Sequence, residues 1–255
     1  MAIDTATVRV HRAGVPGSAT ADAPRGSLGP LPFVTAARTR AAAVIDGDLG
    51  EWRGTPAVIG QASHLLTNAD LYHGAADLQA ELWFAWDDST LYVAGRVRDD
   101  SVTAGEAWDR DRINVVLDWR ENDTPLSYGE DGAADVADWQ ADDYWLFFQP
   151  FWAETPGVPR RIDRLGTHAL AGARLATRRS VNGYTFELAL PAADLPEYAP
   201  FVGHVAGLQL FVTDGDAERS ATELMWSHRW GYSADGGLSW ELPRMGRLVF
   251  VNEVP

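Results

Sequence analysis

AELWFAWDDSTLYVAGRVRDD (80–100) decides the fold class. Two apolar runs, AELWFAWD (80–87) and TLYVAGRVRDD (90–100), flank a short polar Asp–Ser step. Runs of this kind joined by a tight polar turn are the signature of a β-hairpin. The reading extends outward along the chain. RINVVLDW (112–119), YWLFFQPF (144–151), ARLATRRSVNG (173–183), YTFELALP (184–191), VAGLQLFVTD (205–214) and GRLVFVN (246–252) follow as further strands. Several alternate, as half-buried strands must. In RINVVLDW, Ile113, Val115 and Leu117 fall on one face, and Asn114, Val116 and Asp118 on the other. In YTFELALP, Phe186, Leu188 and Leu190 oppose Thr185, Glu187 and Ala189. No long segment carries a helical period, and PAADLPEY (191–198) suggests one short helical turn. Short strands in this number predict an all-β fold: a two-layer antiparallel β-sandwich of the jelly-roll or immunoglobulin-like kind.

The 255 residues suit one large all-β domain, and a 46% hydrophobic content supplies its core. Residues 1–40 read as an irregular N-terminal extension, because AGVPGSATADAPRGSLGPLP (13–32) is rich in Gly, Pro, Ala and Ser. VRV (8–10) and FVTA (33–36) each add a short strand there. The sandwich domain is expected over 41–255. A net charge of −15 argues against nucleic acid and against an anionic membrane surface, both of which require basic patches. It is compatible with neutral ligands and with cations, and it keeps a protein soluble. The chain has no cysteine, so disulfides and thiolate metal sites are excluded. There is no apolar run long enough to span a membrane. The first residues, MAIDTATVRVHR, hold no apolar signal core. The expected location is extracellular or periplasmic if a signal has been removed, and otherwise stays open.

No nucleophile elbow, phosphate loop or zinc-protease helix motif appears. The 6 His do not pair at ligand spacing. Carboxylates are abundant, so a catalytic pair for glycoside hydrolysis remains an alternative. Asp87, Asp88, Asp99, Asp100, Asp142 and Asp143 read instead as turn residues that bond nearby backbone. Three acidic loops offer oxygen ligands to calcium: Asp46 and Asp48; Asp118, Asn122 and Asp123; Asp214, Asp216 and Glu218. None completes an EF-hand loop. The 11 Trp are the unusual feature of the composition. Trp108 and Trp240 sit in polar loops, and Trp226 and Trp230 in LMWSHRWGY (224–232). An indole in a polar loop is either a stacking platform for a ligand or a core side chain, and both readings stand.

These segments, in this order, resemble the family 9 carbohydrate-binding modules, which are often attached to xylanases and other polysaccharide-degrading enzymes. IDGDLGEW (45–52) looks like the family's "IDG…W" opening strand. Residues 80–100 are similar to its hairpin, AWDRDRINVVLD (107–118) to its "W..D.(V/I)...(I/L)D" strand, and GYTFELALP (183–191) to its "GY..E.A.P" strand. VAGLQLFVTDGD (205–216) and SWELPRMGRLVFV (239–251) resemble its closing strands. The resemblance implies a β-sandwich with bound calcium, in which two loop Trp clamp a terminal sugar. The matching positions are Trp108 and Trp240, with Trp226 nearby as a further ligand-binding candidate. The polar floor of the clamp aligns with Asn114, Phe147 and Phe211. Asn114 can hydrogen-bond and the two Phe cannot, so the floor is more apolar than the family's. The favoured calcium ligands are Asp46, Asp48, Asp118 and Asp123.

The implied function is a non-catalytic module that stacks a sugar or polysaccharide chain end and serves a separate glycoside hydrolase. Two alternatives stand beside it. One is a haem-binding sandwich of a related superfamily, with Met225, Met245, His204 and His228 as candidate ligands. The other is a glycoside hydrolase-type enzyme. Residues 119–143 and the N-terminal extension lie outside the family pattern.

Overall fold

The computed structural model describes residues 31–105, 110–120, 140–151, 157–163, 165–217, 220–227 and 245–252, with short strand pairs at 8–9, 22–23, 231–232 and 238–239. In chain order the strands are β1 (Val8–Arg9), β2 (Asp22–Ala23), β3 (Phe33–Arg38), β4 (Ala57–Ile59), β5 (Leu65–Thr67) and β6 (Leu78–Trp86). Next come β7 (Thr90–Asp99), β8 (Arg112–Asp118), β9 (Asp143–Phe148), β10 (Arg160–Asp163), β11 (Gly166–Ala169) and β12 (Arg174–Ser180). The last six are β13 (Gly183–Pro191), β14 (Val205–Ala217), β15 (Ser220–Met225), β16 (Gly231–Tyr232), β17 (Leu238–Ser239) and β18 (Gly246–Val251). The fold is all-β. Helix is confined, among the described residues, to single 3-10 turns such as Ala62–His64 and Ala192–Asp194, the latter inside the PAADLPEY segment. No described helix is long and apolar enough to cross a membrane.

The hairpin is β6 and β7, in register at Phe84↔Val93 and Leu82↔Gly95. Its turn is held by Asp87: Oδ1 accepts from the Ser89 backbone N–H and hydroxyl, both at 2.8 Å, and Oδ2 from the Tyr92 hydroxyl at 2.7 Å. A Cβ at Gly95 would lie 2.2 Å from Cε1 of Phe186 on neighbouring β13, so glycine there makes room for the Phe186 ring.

The expected pair of antiparallel layers needs correction. Fourteen of the described strands form one curled, mixed sheet, with the path β11-β10-β9-β8-β14-β18-β3-β6-β7-β13-β12. β3 lies parallel to both β18 and β6. Its burial alternates, with Val34 and Ala36 in the core, so residues 33–38 belong to the centre of the sheet rather than to an extension. The chain reaches that position from far away in sequence, so no hairpin turn announces it. β14 is long enough to pair β18 through Val205–Leu208 and β15 beyond Phe211. Through these hand-overs the sheet curls around a core that includes Phe84, Trp86, Phe148, Phe186, Leu210 and Phe250.

A strap over the outer face of β7 and β13 contains the first two predicted metal ligands. Glu187 is fully buried and accepts three hydrogen bonds: from the backbone N–H of Asp46 (2.8 Å) and Gly47 (2.6 Å), and from Trp52 Nε1 (2.7 Å). Gly47 has φ of +83°, and a Cβ there would meet Cγ of Arg178 at 2.8 Å. Asp46 and Asp48 point outward to Arg178, at 3.3 and 3.1 Å, and each caps a backbone N–H two residues on. They are turn-forming partners of an arginine here.

Glu187→Ala removes the acceptor from three bonds to a charged group, each worth about 1.5–3 kcal/mol. Chemical denaturation should show a loss of at least about 3 kcal/mol. Asp46→Ala or Asp48→Ala breaks only exposed ion pairs and should cost no more than about 1 kcal/mol.

Candidate functional site

On β8, Ile113, Val115 and Leu117 enter the core, which turns Arg112, Asn114, Val116 and Asp118 to the opposite face. Antiparallel pairing extends each into a row. Asn114 lies between Phe147 on β9 and Phe211 on β14, and Phe211 opposes Met225 on β15. The three floor positions read from the sequence are thus side by side, and all three are buried. Trp145, half-buried on the same face, donates from Nε1 to Asn114 Oδ1 at 2.9 Å. An indole nitrogen is only a donor, so this bond fixes which amide atom is the oxygen. Nδ2 of Asn114 is left buried without a hydrogen-bond partner.

The next row is Arg112, Thr213, Glu223 and Thr67. Arg112 donates to the Thr213 hydroxyl at 3.4 Å, which donates to Glu223 Oε1 at 3.2 Å; the ion pair itself is 3.5 Å. Burial lowers the Arg112 pKa and raises that of Glu223, and each charge opposes the other's shift.

The remaining sequence-based candidates divide. Trp108, Trp240, Asp123 and His228 lie outside the described residues. Trp226 is corrected to a core residue: it is 6% exposed, and a Cβ on Gly246 would be only 2.5 Å from its ring. His204 is also enclosed. Its ring is 4.8 Å from Trp119, 5.1 Å from Phe250 and 5.2 Å from Phe201, and burial lowers its pKa. Met225 opposes Phe211, seven residues along β14 from His204 and so about 23 Å away, too far for both to bind one haem iron.

Residues 45–252 match the family described as "Carbohydrate family 9 binding domain-like". The chain belongs to that family. No curated protein matches the sequence. Among solved structures, a family 9 carbohydrate-binding module from Caldicellulosiruptor kristjanssonii in complex with cellotriose is similar. It is 15% identical with a TM-score of 0.55, covering 88% of this chain and 94% of that one. The complex of a family 9 module from the same organism with glucose is also 15% identical with a TM-score of 0.55, covering 87% and 97%. At this identity the likeness shows the fold.

In this family 9-like domain, buried carboxylates also gather away from the strap. Asp118, Asp142 and Asp143 are all buried, with one oxygen from each within 4.8 Å of the others. Asp142 accepts from the Arg120 N–H at 3.0 Å and Asp143 from the Gln140 N–H at 2.8 Å. Asp118 thus lies beside two carboxylates that the sequence places in turns. A second group, Asp99, Asp214 and Asp216, also gathers within 4.8 Å. Burial, with repulsion from neighbouring carboxylates, pushes Asp99 up to about 6, Asp111 to about 8 and Asp214 to about 9.

The buried ion pair yields a stability test. Glu223→Leu strands a buried arginine and should cost about 3–5 kcal/mol in urea unfolding. The double change Arg112→Met with Glu223→Leu should recover most of that loss.

Proposed function

We propose that the domain is a non-catalytic binding module that holds a sugar or the end of a polysaccharide chain. Family membership over 45–252 supports the class of ligand, and cellotriose and glucose in the similar structures suggest a glucose-containing glycan. The observation that carries the reading to particular atoms is Nδ2 of Asn114. It is a buried donor without a partner, in the middle of an aromatic row. A ligand hydroxyl would satisfy it. Trp108 and Trp240 are proposed as the two stacking platforms, covering the apolar CH faces of one ring. Phe147 and Phe211 supply an apolar frame in place of further polar contacts.

The charged groups of this face favour binding over catalysis. Glu223 is tied to Arg112 and Thr213 rather than poised for proton transfer. Calcium is proposed as a structural ion held by Asp118 with Asp142 and Asp143. The module would serve a separate glycoside hydrolase outside the cytoplasm by raising its local concentration on substrate.

Titration calorimetry with glucose, cellotriose and xylan-derived oligosaccharides tests the reading. Trp108→Ala or Trp240→Ala should weaken binding tenfold to hundredfold, by analogy with base stacking worth about 1–3 kcal/mol. Asn114→Ala removes one hydrogen bond worth about 0.5–1.5 kcal/mol, a loss of roughly two- to tenfold. Absence of heat with every sugar, from protein with an unaltered melting curve, sinks the proposal.

A further inference from the structure

Asn114 and Trp145 stand in neighbouring rows of one face. Asn114 on β8 opposes Phe147 on β9, while Trp145, one row over on β9, opposes Val116. Diagonal neighbours of this kind lie about 7–8 Å apart, within reach of an aromatic side chain. Trp145 uses that reach, and its Nε1–H donates to Asn114 Oδ1 at 2.9 Å. Its ring also packs on Phe147, with centroids 6.2 Å apart and planes at 57°. The bond thus runs across the sheet from a half-buried side chain to a fully buried one.

This bond has a direction. An indole nitrogen only donates, whereas an amide accepts at Oδ1 and donates at Nδ2. Turning the Asn114 amide over would set two donors against each other and break the bond from Trp145. Nδ2 is therefore held on the other side, where it is buried without a partner. The side chains along its row are Phe147, Phe211 and Met225. None of these carries an oxygen or a nitrogen. A ligand atom that meets Nδ2 finds a donor and no strong acceptor beside it. That atom has to bring a lone pair, and a proton of its own gains nothing from these side chains.

We propose that Trp145 is a positioning residue that fixes the hydrogen-bond polarity of the ligand floor, so that Asn114 reads an acceptor atom of the ligand and not a hydroxyl proton. An ether or ring oxygen can then stand where a hydroxyl does. The inference rests on the sugar-binding reading and adds which ligand atoms are told apart. Trp145→Phe isolates the effect, because phenylalanine keeps a ring in the row and lacks the N–H donor. Oδ1 then loses its directing partner, and the amide is free to present either atom.

Two measurements test the lock. By NMR of the free protein, the Trp145 indole proton should resonate downfield. It should stay there in Asn114→Asp, whose carboxyl still accepts, and move upfield in Asn114→Leu, which has no acceptor. Calorimetry with glucose and its monodeoxy and monodeoxyfluoro analogues then reads the polarity, since bound fluorine accepts weakly and cannot donate. In wild type, deoxygenation at one position should cost roughly two- to tenfold in affinity, as for one hydrogen bond. The fluoro analogue at that position should recover most of the loss. In Trp145→Phe a hydroxyl can meet either amide atom and fluorine only Nδ2, so the preference for glucose over the fluoro analogue should widen by at least about threefold. A fluoro analogue no better than the deoxy sugar in wild type overturns the proposal. So do unchanged affinities in folded Trp145→Phe. An indole resonance that does not move in Asn114→Leu overturns it without any ligand. If no sugar binds wild type, the sugar-binding reading falls, while a moved resonance still upholds the fixed amide.

Discussion

The six-residue strand β3 is the joint on which the rest of the sheet depends. It pairs in parallel with β18 on one side and β6 on the other, turning two groups of strands into one hydrogen-bonded path. Side chains lock the same joint. Trp86 on β6 and Phe250 on β18 meet edge to face with centroids 5.7 Å apart, and Trp86 Nε1 donates to the Val251 carbonyl at 3.1 Å. Because side chains alternate with period two, a one-residue slip at β3 would turn one half of the sheet inside out relative to the other. The meeting of Asp99 from β7 with Asp214 from β14 follows from this register.

The period-two pattern explains what was legible in the sequence. Residues 80–100, 112–119 and 184–191 fold as strands, and the apolar faces named for 112–119 and 184–191 point into the main core, while the opposite faces, with Asn114 and Glu187, are covered as well. The parallel pairings were not legible. Hairpin turns announce antiparallel neighbours, whereas β3 meets strands that begin 45 and more than 200 residues later, next to a Gly- and Pro-rich stretch. Asn114, Phe147 and Phe211 were aligned by family pattern, and cross-strand register makes them one row.

The acidic sites show where local rules give way to tertiary position. Asp99, Asp142 and Asp143 have the composition of turns, yet they are buried at strand ends. Carrying the alternation one step past Val97, Ile113 and Val212 would have placed Asp99, Asp111 and Asp214 inward. Asp46 and Asp48 show the same limit from the exposed side of the sheet. Their partner, Arg178, is 130 or more residues away, so nothing local distinguishes a turn pinned by an arginine from a metal loop. Trp226 sits beside polar residues in sequence, but Gly246 opens the space its ring fills.

One strand supplies opposite chemistry to its two sides. Asp111 and Ile113 look inward while Arg112 and Asn114 look outward, so the acidic end of the core and the proposed ligand floor share a backbone. Arg112, tied to Thr213 and Glu223, stands between the strand end and the Asn114 row. A buried ion pair contributes little net stability but disfavours any arrangement that separates it, so this row holds β8, β14 and β15 in one register. That register sets Asn114 between two phenylalanines. An unpartnered donor in an apolar frame discriminates by penalty: a ligand that brings an acceptor relieves it, and one that does not leaves it buried and unpaired. On the proposed reading, selectivity for a hydroxyl-bearing ligand therefore comes as much from what surrounds Asn114 as from Asn114 itself.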